Sequence, residues 1–165
     1  LLADENVQVI LTYSNNDAGG ETIVSILKNF SEKKHRNIQL IKSLGRYYYH
    51  GILALARLSD WRIACVGNSS SGIKETPFFG CPTVNIGSRQ KGRLRGHNVI
   101  DVGYNTESIT HAIRSCFFDQ IFRSKCANTF NPYGGGTAGV QIAKSLAKVD
   151  LNPKVILRKR MMLKN

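Results

Sequence analysis

No apolar run in this chain approaches the ~20 residues that a membrane-spanning helix requires, and its first residues lack the pattern of a signal peptide. Acidic residues are scarce: 11 Asp and Glu stand against 23 Lys and Arg, a formal charge of +12. That imbalance points to an anionic partner, and nucleotide, nucleic acid and membrane surface all satisfy it. Paired cysteines are lacking too. Cys65, Cys81, Cys116 and Cys126 lie in apolar contexts without C-x-x-C spacing, which favours buried, reduced thiols in a cytoplasmic protein over a zinc site. The histidines form no metal-spaced pair, and neither a Ser-His-Asp nor a Cys-His arrangement is evident. There is no internal repeat and no low-complexity segment. What is present is 165 residues, 42% of them hydrophobic, which excludes a disordered chain and suits one domain with a substantial core. The chain opens on Leu1-Leu2 rather than Met, so either a fragment or a trimmed chain is expected.

Strand and helix patterns alternate along it. Residues 7–13 (VQVILTY) are apolar and β-branched, suited to a central strand. A polar turn, 14–20, carries Asn15 and Asp17, and Asp17 or a neighbour is expected to cap the helix marked by Ile23, Ile26, Leu27 and Phe30. Lys33, Lys34, His35 and Arg36 close that helix with positive charge, as its dipole prefers. Further strands are read at 38–41, 63–66, 83–86 and 99–102. Further helices are read over 47–58, around Ile109, Ile113 and Phe117, and from Val140 to Ala147. This order implies an α/β fold: a Rossmann-like parallel sheet with helices on both faces, over residues 1–150. Residues 151–165 read as a basic tail. In such sheets ligands bind beyond the carboxyl ends of the strands, so the loops at Asn15, Ser69 and Arg89 should share one rim.

The stretch Gly67-Asn68-Ser69-Ser70-Ser71-Gly72-Ile73-Lys74-Glu75 is the most distinctive. It follows a strand and precedes a short helix read over 73–79, the arrangement by which α/β proteins build anion sites. The serines add hydroxyl donors, and Gly67 and Gly72 let a ligand approach the backbone. Glu75, expected on the first helical turn, suits a ribose attached to the phosphate, since it accepts from the 2′- and 3′-hydroxyls. The competing interpretation is a simple serine cap, although the capping box would need Ser or Thr where Gly72 stands. The loop after the fourth strand carries Arg89, Lys91, Arg93 and Arg95 among glycines. A charge run is usually a solvated loop, but placement on the serine rim favours phosphate binding. Gly134, Gly136 and Gly139 fit G-x-G-x-x-G only formally, because no strand precedes them. Asp17 and Glu75 are the only carboxylates on the expected rim, and no convincing acid–base pair emerges.

Taken together, YSNNDAGG at 13–20, KSLG at 42–45, GNSSSGIKETPFFGCPTVNIGSRQKGR at 67–93, NVIDV at 98–102 and NPYGGG at 131–136 resemble the second domain of the hydrolysing UDP-N-acetylglucosamine 2-epimerases. The resemblance covers nearly all of the chain except the tail. It implies one half of a two-domain GT-B fold with substrate in the interdomain cleft. It also implies elimination of UDP from UDP-N-acetylglucosamine, then hydration of the glycal to N-acetylmannosamine, a precursor of sialic acid or surface polysaccharide. Ser69, Ser70 and Gly72 would meet the diphosphate, Glu75 the ribose, and Arg89 the phosphate side. Leu44 would lie near uracil through its backbone, Asn15 would face the N-acetylhexosamine, and Arg93 is a further phosphate candidate. The family's acid and base residues belong to segments outside this chain, so no catalytic residue is expected in it. No cofactor and no metal are expected. The expected partners are UDP or a UDP-N-acetylhexosamine, an N-terminal domain and, at full length, further copies in a homo-oligomer, rather than nucleic acid or membrane. Two rivals stand beside this reading. One is a stand-alone nucleotide- or RNA-binding module, for which Tyr47-Tyr48-Tyr49 is the nearest aromatic platform, although two of those rings are expected to pack. The other is the donor domain of a GT-B glycosyltransferase.

Overall fold

A computed structural model describes residues 7–14, 19–31 and 37–151. The described residues form five short strands, β1 (Val9–Thr12), β2 (Ile38–Ile41), β3 (Cys65–Gly67), β4 (Thr83–Ile86) and β5 (Val99–Val102), and six α-helices, which alternate up to β4. The helices are α1 (Gly20–Ser31), α2 (Gly45–Ala54), α3 (Ser71–Lys74), α4 (Thr106–Phe118), α5 (Gln120–Ala127) and α6 (Ala138–Leu146). Among the described residues every strand pair is parallel, with a helix in the β1–β2 and β3–β4 crossovers and the loop 87–98 between β4 and β5. The fold is α/β and Rossmann-like. The strands fall into two pieces, β1-β2 and β3-β4-β5. Among the described residues β1 therefore pairs with β2 alone, and it alternates between half-buried and exposed residues, with Ile10 41% exposed. Its apolar composition suited a central strand, but composition does not report how many neighbours a strand has.

β4 is the central strand of the larger sheet, and Thr83, Val84 and Asn85 are buried. Successive side chains on a strand point to opposite faces. Val84 packs with Ala112 and Cys116 of α4, among Ile86, Ile100, Val102, Ile113 and Phe122. Thr83 faces the other way, where its Oγ1 donates to Thr76 Oγ1 at 2.8 Å and its Cγ2 lies beneath Gly72 of α3. Helical segments thus cover both faces of β4.

The helix boundaries have local causes. Asn105 caps α4 by accepting from the Ser108 amide at 2.9 Å, and Asp119 caps α5 by accepting from the Phe122 amide at 2.9 Å. α5 has no counterpart in the sequence reading, because its apolar residues run on from those of α4. The expected helix over 47–58 is α2 followed by a 3₁₀ turn, Leu55–Arg57. Of its three tyrosines only Tyr49 packs inward. Tyr47 and Tyr48 are 84% and 68% exposed and meet edge to face, since consecutive helical residues cannot share one face. Every residue of α6 is exposed. The expected tail lies, from residue 152 onward, outside the described residues, as do Asp17 and the cationic end expected after α1.

Candidate functional site

The serine loop leaves β3 at Gly67, whose φ of +147° suits glycine. Ser70 is the N-cap of α3 and makes no side-chain capping bond; the serine side chain that meets a backbone amide at this helix start is Ser69, whose Oγ accepts from Ser71 N at 3.4 Å. The α-helix is shorter and earlier than expected: one turn, Ser71–Lys74, then a 3₁₀ turn, Thr76–Phe79. Pro77 has no N–H to continue the ladder, and the next bond runs from Phe78 N to Glu75 O at 3.0 Å. Glu75 therefore sits at the joint between the two turns instead of on the first turn.

The loops after β3 and β4 do share a rim. Arg89 Nη1 donates to the Asn68 carbonyl at 3.1 Å, and Gln90 Nε2 donates to the same oxygen at 2.7 Å. Parallel neighbouring strands bring their carboxyl ends together, so loops far apart in sequence meet there. Arg95 is committed elsewhere: it pairs with Asp101 and donates to the Gln90 carbonyl at 2.8 Å. Asp101 in turn accepts from Asn85 at 2.7 Å.

An open cleft of about 1600 Å³ lies against the serine loop. Ser69, Ser70, Ser71 and Glu75 form one side, and Leu44, Gly45, Arg46 and Tyr49 at the start of α2 form another. Glu21, Ser25 and Lys28 of α1, with Lys42, face them. Cations from three segments, Lys28, Lys42 and Arg46, thus stand around the same space as the hydroxyls. This set suits an anionic ligand that also carries hydroxyl groups.

The expected site residues divide accordingly. Ser69, Ser70, Glu75 and Leu44 line the cleft together. Arg89 touches the serine loop at Asn68 but is not part of the cleft lining, and Arg93 is exposed and likewise outside it. Gly72 is buried: a Cβ there would come 3.2 Å from Thr83 Cγ2, so its small size serves close packing of α3 on β4. Asn15 lies outside the described residues. Asn131 of the NPYGGG block donates to the Lys74 carbonyl at 3.2 Å, which ties that block to the end of α3.

Three residues enter the site that the sequence reading did not assign to it. His50 Nε2 lies 2.6 Å from Glu75 Oε2, and its ring packs against Phe79 at 5.1 Å. Gln90 is 1% exposed and holds the serine loop from below. Tyr49 donates to Ser71 Oγ at 3.0 Å, and burial foremost raises its phenol above the ordinary tyrosine range. Three consecutive tyrosines in a helix point in three directions, so position within the run was the only available signal. Among the described residues no group of three His, Cys, Asp or Glu side chains can hold a metal ion, and no helix is long and apolar enough to cross a membrane.

The family described as UDP-N-acetylglucosamine 2-epimerase matches residues 1–147. A Campylobacter jejuni protein named GDP/UDP-N,N'-diacetylbacillosamine 2-epimerase (hydrolyzing) is 43% identical over 61% of this chain and 25% of its own length. A Neisseria meningitidis UDP-N-acetylglucosamine 2-epimerase is 33% identical over 78% of this chain and 31% of its own. A Legionella pneumophila UDP-N,N'-diacetylbacillosamine 2-epimerase (hydrolyzing) is 31% identical over 92% of this chain and 37% of its own. The matches thus span 25% to 37% of the length of these relatives. Since that family matches all but the last 18 of the 165 residues, the chain belongs to the UDP-N-acetylglucosamine 2-epimerase family.

Proposed function

We propose that this chain is the UDP-binding half of a hydrolysing UDP-N-acetylglucosamine 2-epimerase. In that reaction the C2 proton and the UDP group leave the substrate, forming a glycal. Water then adds across the double bond to give N-acetylmannosamine. Ser69 and Ser70 meet the diphosphate, with Arg89 and Arg93 on its outer side. Glu75 accepts from the ribose hydroxyls, Leu44 lies beside uracil, and Asn15 faces the sugar. The single observation that supports this most is that Ser69, Ser70 and Glu75 of the serine segment line one cleft with Leu44 from the start of α2. A diphosphate needs donors, a ribose needs an acceptor, and the two must stand a short distance apart; the serine loop and Glu75 meet that requirement.

Proton transfer at C2 is assigned to residues outside these 165, so the chain alone binds UDP without turnover. Closure of a second domain would add the remaining contacts and exclude water. The relatives' names extend the sugar to a diacetylated bacillosamine, and this proposal concerns the shared UDP end. Calorimetric titration of the chain with UDP, ADP and a short RNA tests it. Binding of UDP in preference to ADP, weakened by Glu75→Ala, is expected. Equal affinity for UDP and ADP, or binding of RNA alone with a steep salt dependence, would overturn it.

A further inference from the structure

Ser69 Oγ accepts twice from the same neighbour: from the Ser71 amide at 3.4 Å and from the Ser71 hydroxyl at 3.1 Å. A serine hydroxyl has two acceptor lone pairs and one proton. With both lone pairs engaged, the proton is what Ser69 has left to offer on the wall of the cleft. A diphosphate oxygen only accepts, so this hydroxyl is suited to it and unsuited to a ligand that must donate.

The direction of this small chain is set from another element. Tyr49, on α2, places its phenol oxygen 3.0 Å from Ser71 Oγ and 3.7 Å from Cys65 Sγ. We propose that Tyr49 is a positioning residue for the phosphate subsite: by donating to Ser71 it turns the Ser71 proton toward Ser69, and so leaves the Ser69 proton for the ligand. This rests on the UDP reading of the cleft. Burial keeps the phenol protonated at neutral pH, so Tyr49 acts as a donor throughout the working range. Without its O–H, Ser71 can accept from Ser69 as readily as donate to it. The serine pair then has two polarities, only one of which presents a proton to the anion.

The test uses the full chain and two ligands, UDP and uridine, with affinities from ligand-observed NMR. The wild-type protein should bind UDP more tightly than uridine. Tyr49→Phe keeps the ring and removes the oxygen. It should weaken UDP about 3- to 10-fold, the loss of one directed hydrogen bond, and leave uridine within twofold. Ser71→Ala removes the hydroxyl that could take the Ser69 proton, so it should leave UDP within about twofold and make a further Tyr49→Phe silent; measured alone, it answers the question if Tyr49→Phe does not fold. In a Ser69→Ala background, Tyr49→Phe should add little, because its effect passes through Ser69. Equal losses for UDP and uridine, full additivity with Ser69→Ala, no effect of Tyr49→Phe on UDP, or a phosphate-selective loss of about 3-fold or more from Ser71→Ala would each overturn the proposal while the UDP reading stands. A wild-type chain with no preference for UDP over uridine would overturn that reading, and this proposal with it.

Discussion

His50 Nε2 stands 2.6 Å from Glu75 Oε2, although the two residues are 25 positions apart in sequence. The contact fixes one carboxylate oxygen against α2 and leaves the other for a ligand. The side chains are 34% and 40% exposed, so water screens the pair and its share in stability is small.

The pair should therefore matter more to binding than to folding. His50→Leu is expected to leave the thermal midpoint within about 2 °C, in line with the about 0–1 kcal/mol of exposed ion pairs. It should weaken UDP several-fold, because the carboxylate loses its orientation. Glu75→Ala should weaken UDP more, by about tenfold or greater, as a charge-assisted bond is lost. Calorimetry alongside a melting curve separates the two effects.

Gly72→Ala should loosen α3. Its Cβ would sit 3.2 Å from Thr83 Cγ2, with Cys65 Sγ at 3.8 Å, and overpacking of this kind costs about 1–3 kcal/mol. Replacing Thr83 by Ser in the same chain removes Cγ2 while keeping the hydroxyl, and should recover most of the loss. Urea denaturation of both variants measures it.

Thr76 anchors the floor of the serine loop. Its hydroxyl donates to the Gly72 carbonyl at 2.7 Å and accepts from Thr83 and Asn98 at 2.8 and 3.0 Å, and all three side chains are buried. Thr76→Val keeps the shape and withdraws the acceptor. A destabilisation of about 1–3 kcal/mol is expected, because buried polar groups lose a partner. The urea midpoint should fall with an unchanged slope.

Alkaline pH should destabilise the fold through its thiols. Burial, the largest cause in each case, raises all four cysteines, and Cys116 and Cys126 are pushed up to about 12. The folded chain then holds thiol protons that the unfolded chain releases above about pH 8.5. Stability from this source is complete below that pH and is lost as pH rises toward 12. Denaturation midpoints should be flat between pH 6 and 8 as far as the thiols contribute, and fall above about 9. A disulfide reagent at pH 7.5 should label the native thiols slowly and all four quickly in denaturant.

Much of the local structure is legible in the residues. The strands at Ile38–Ile41, Thr83–Ile86 and Val99–Val102 have the limits that β-branched runs between polar turns suggest. The serine loop falls between a strand and a helix, as small residues after an apolar run imply. The limits that shifted did so through effects with no strong local signal. Pro77 cut α3 short, and Asp119 began a new helix inside a stretch that reads as continuous. Gly72 looked like an opening for a ligand, yet in space it faces β4.

The chain's own letters determined the α/β alternation, the serine loop between a strand and a helix, and the family, because each rests on residues close together in sequence. Only the tertiary structure decided which partners those residues meet. Arg89 and Gln90 converge on the Asn68 carbonyl from 21 and 22 positions away, and Tyr49 reaches Ser71 across 22. Such contacts depend on strand order and on which face of α2 turns toward the loop. A rotation of one residue, 100° about a helix, would exchange Tyr49 for an exposed neighbour. That angle is set by packing and cannot be read from the sequence of the helix alone.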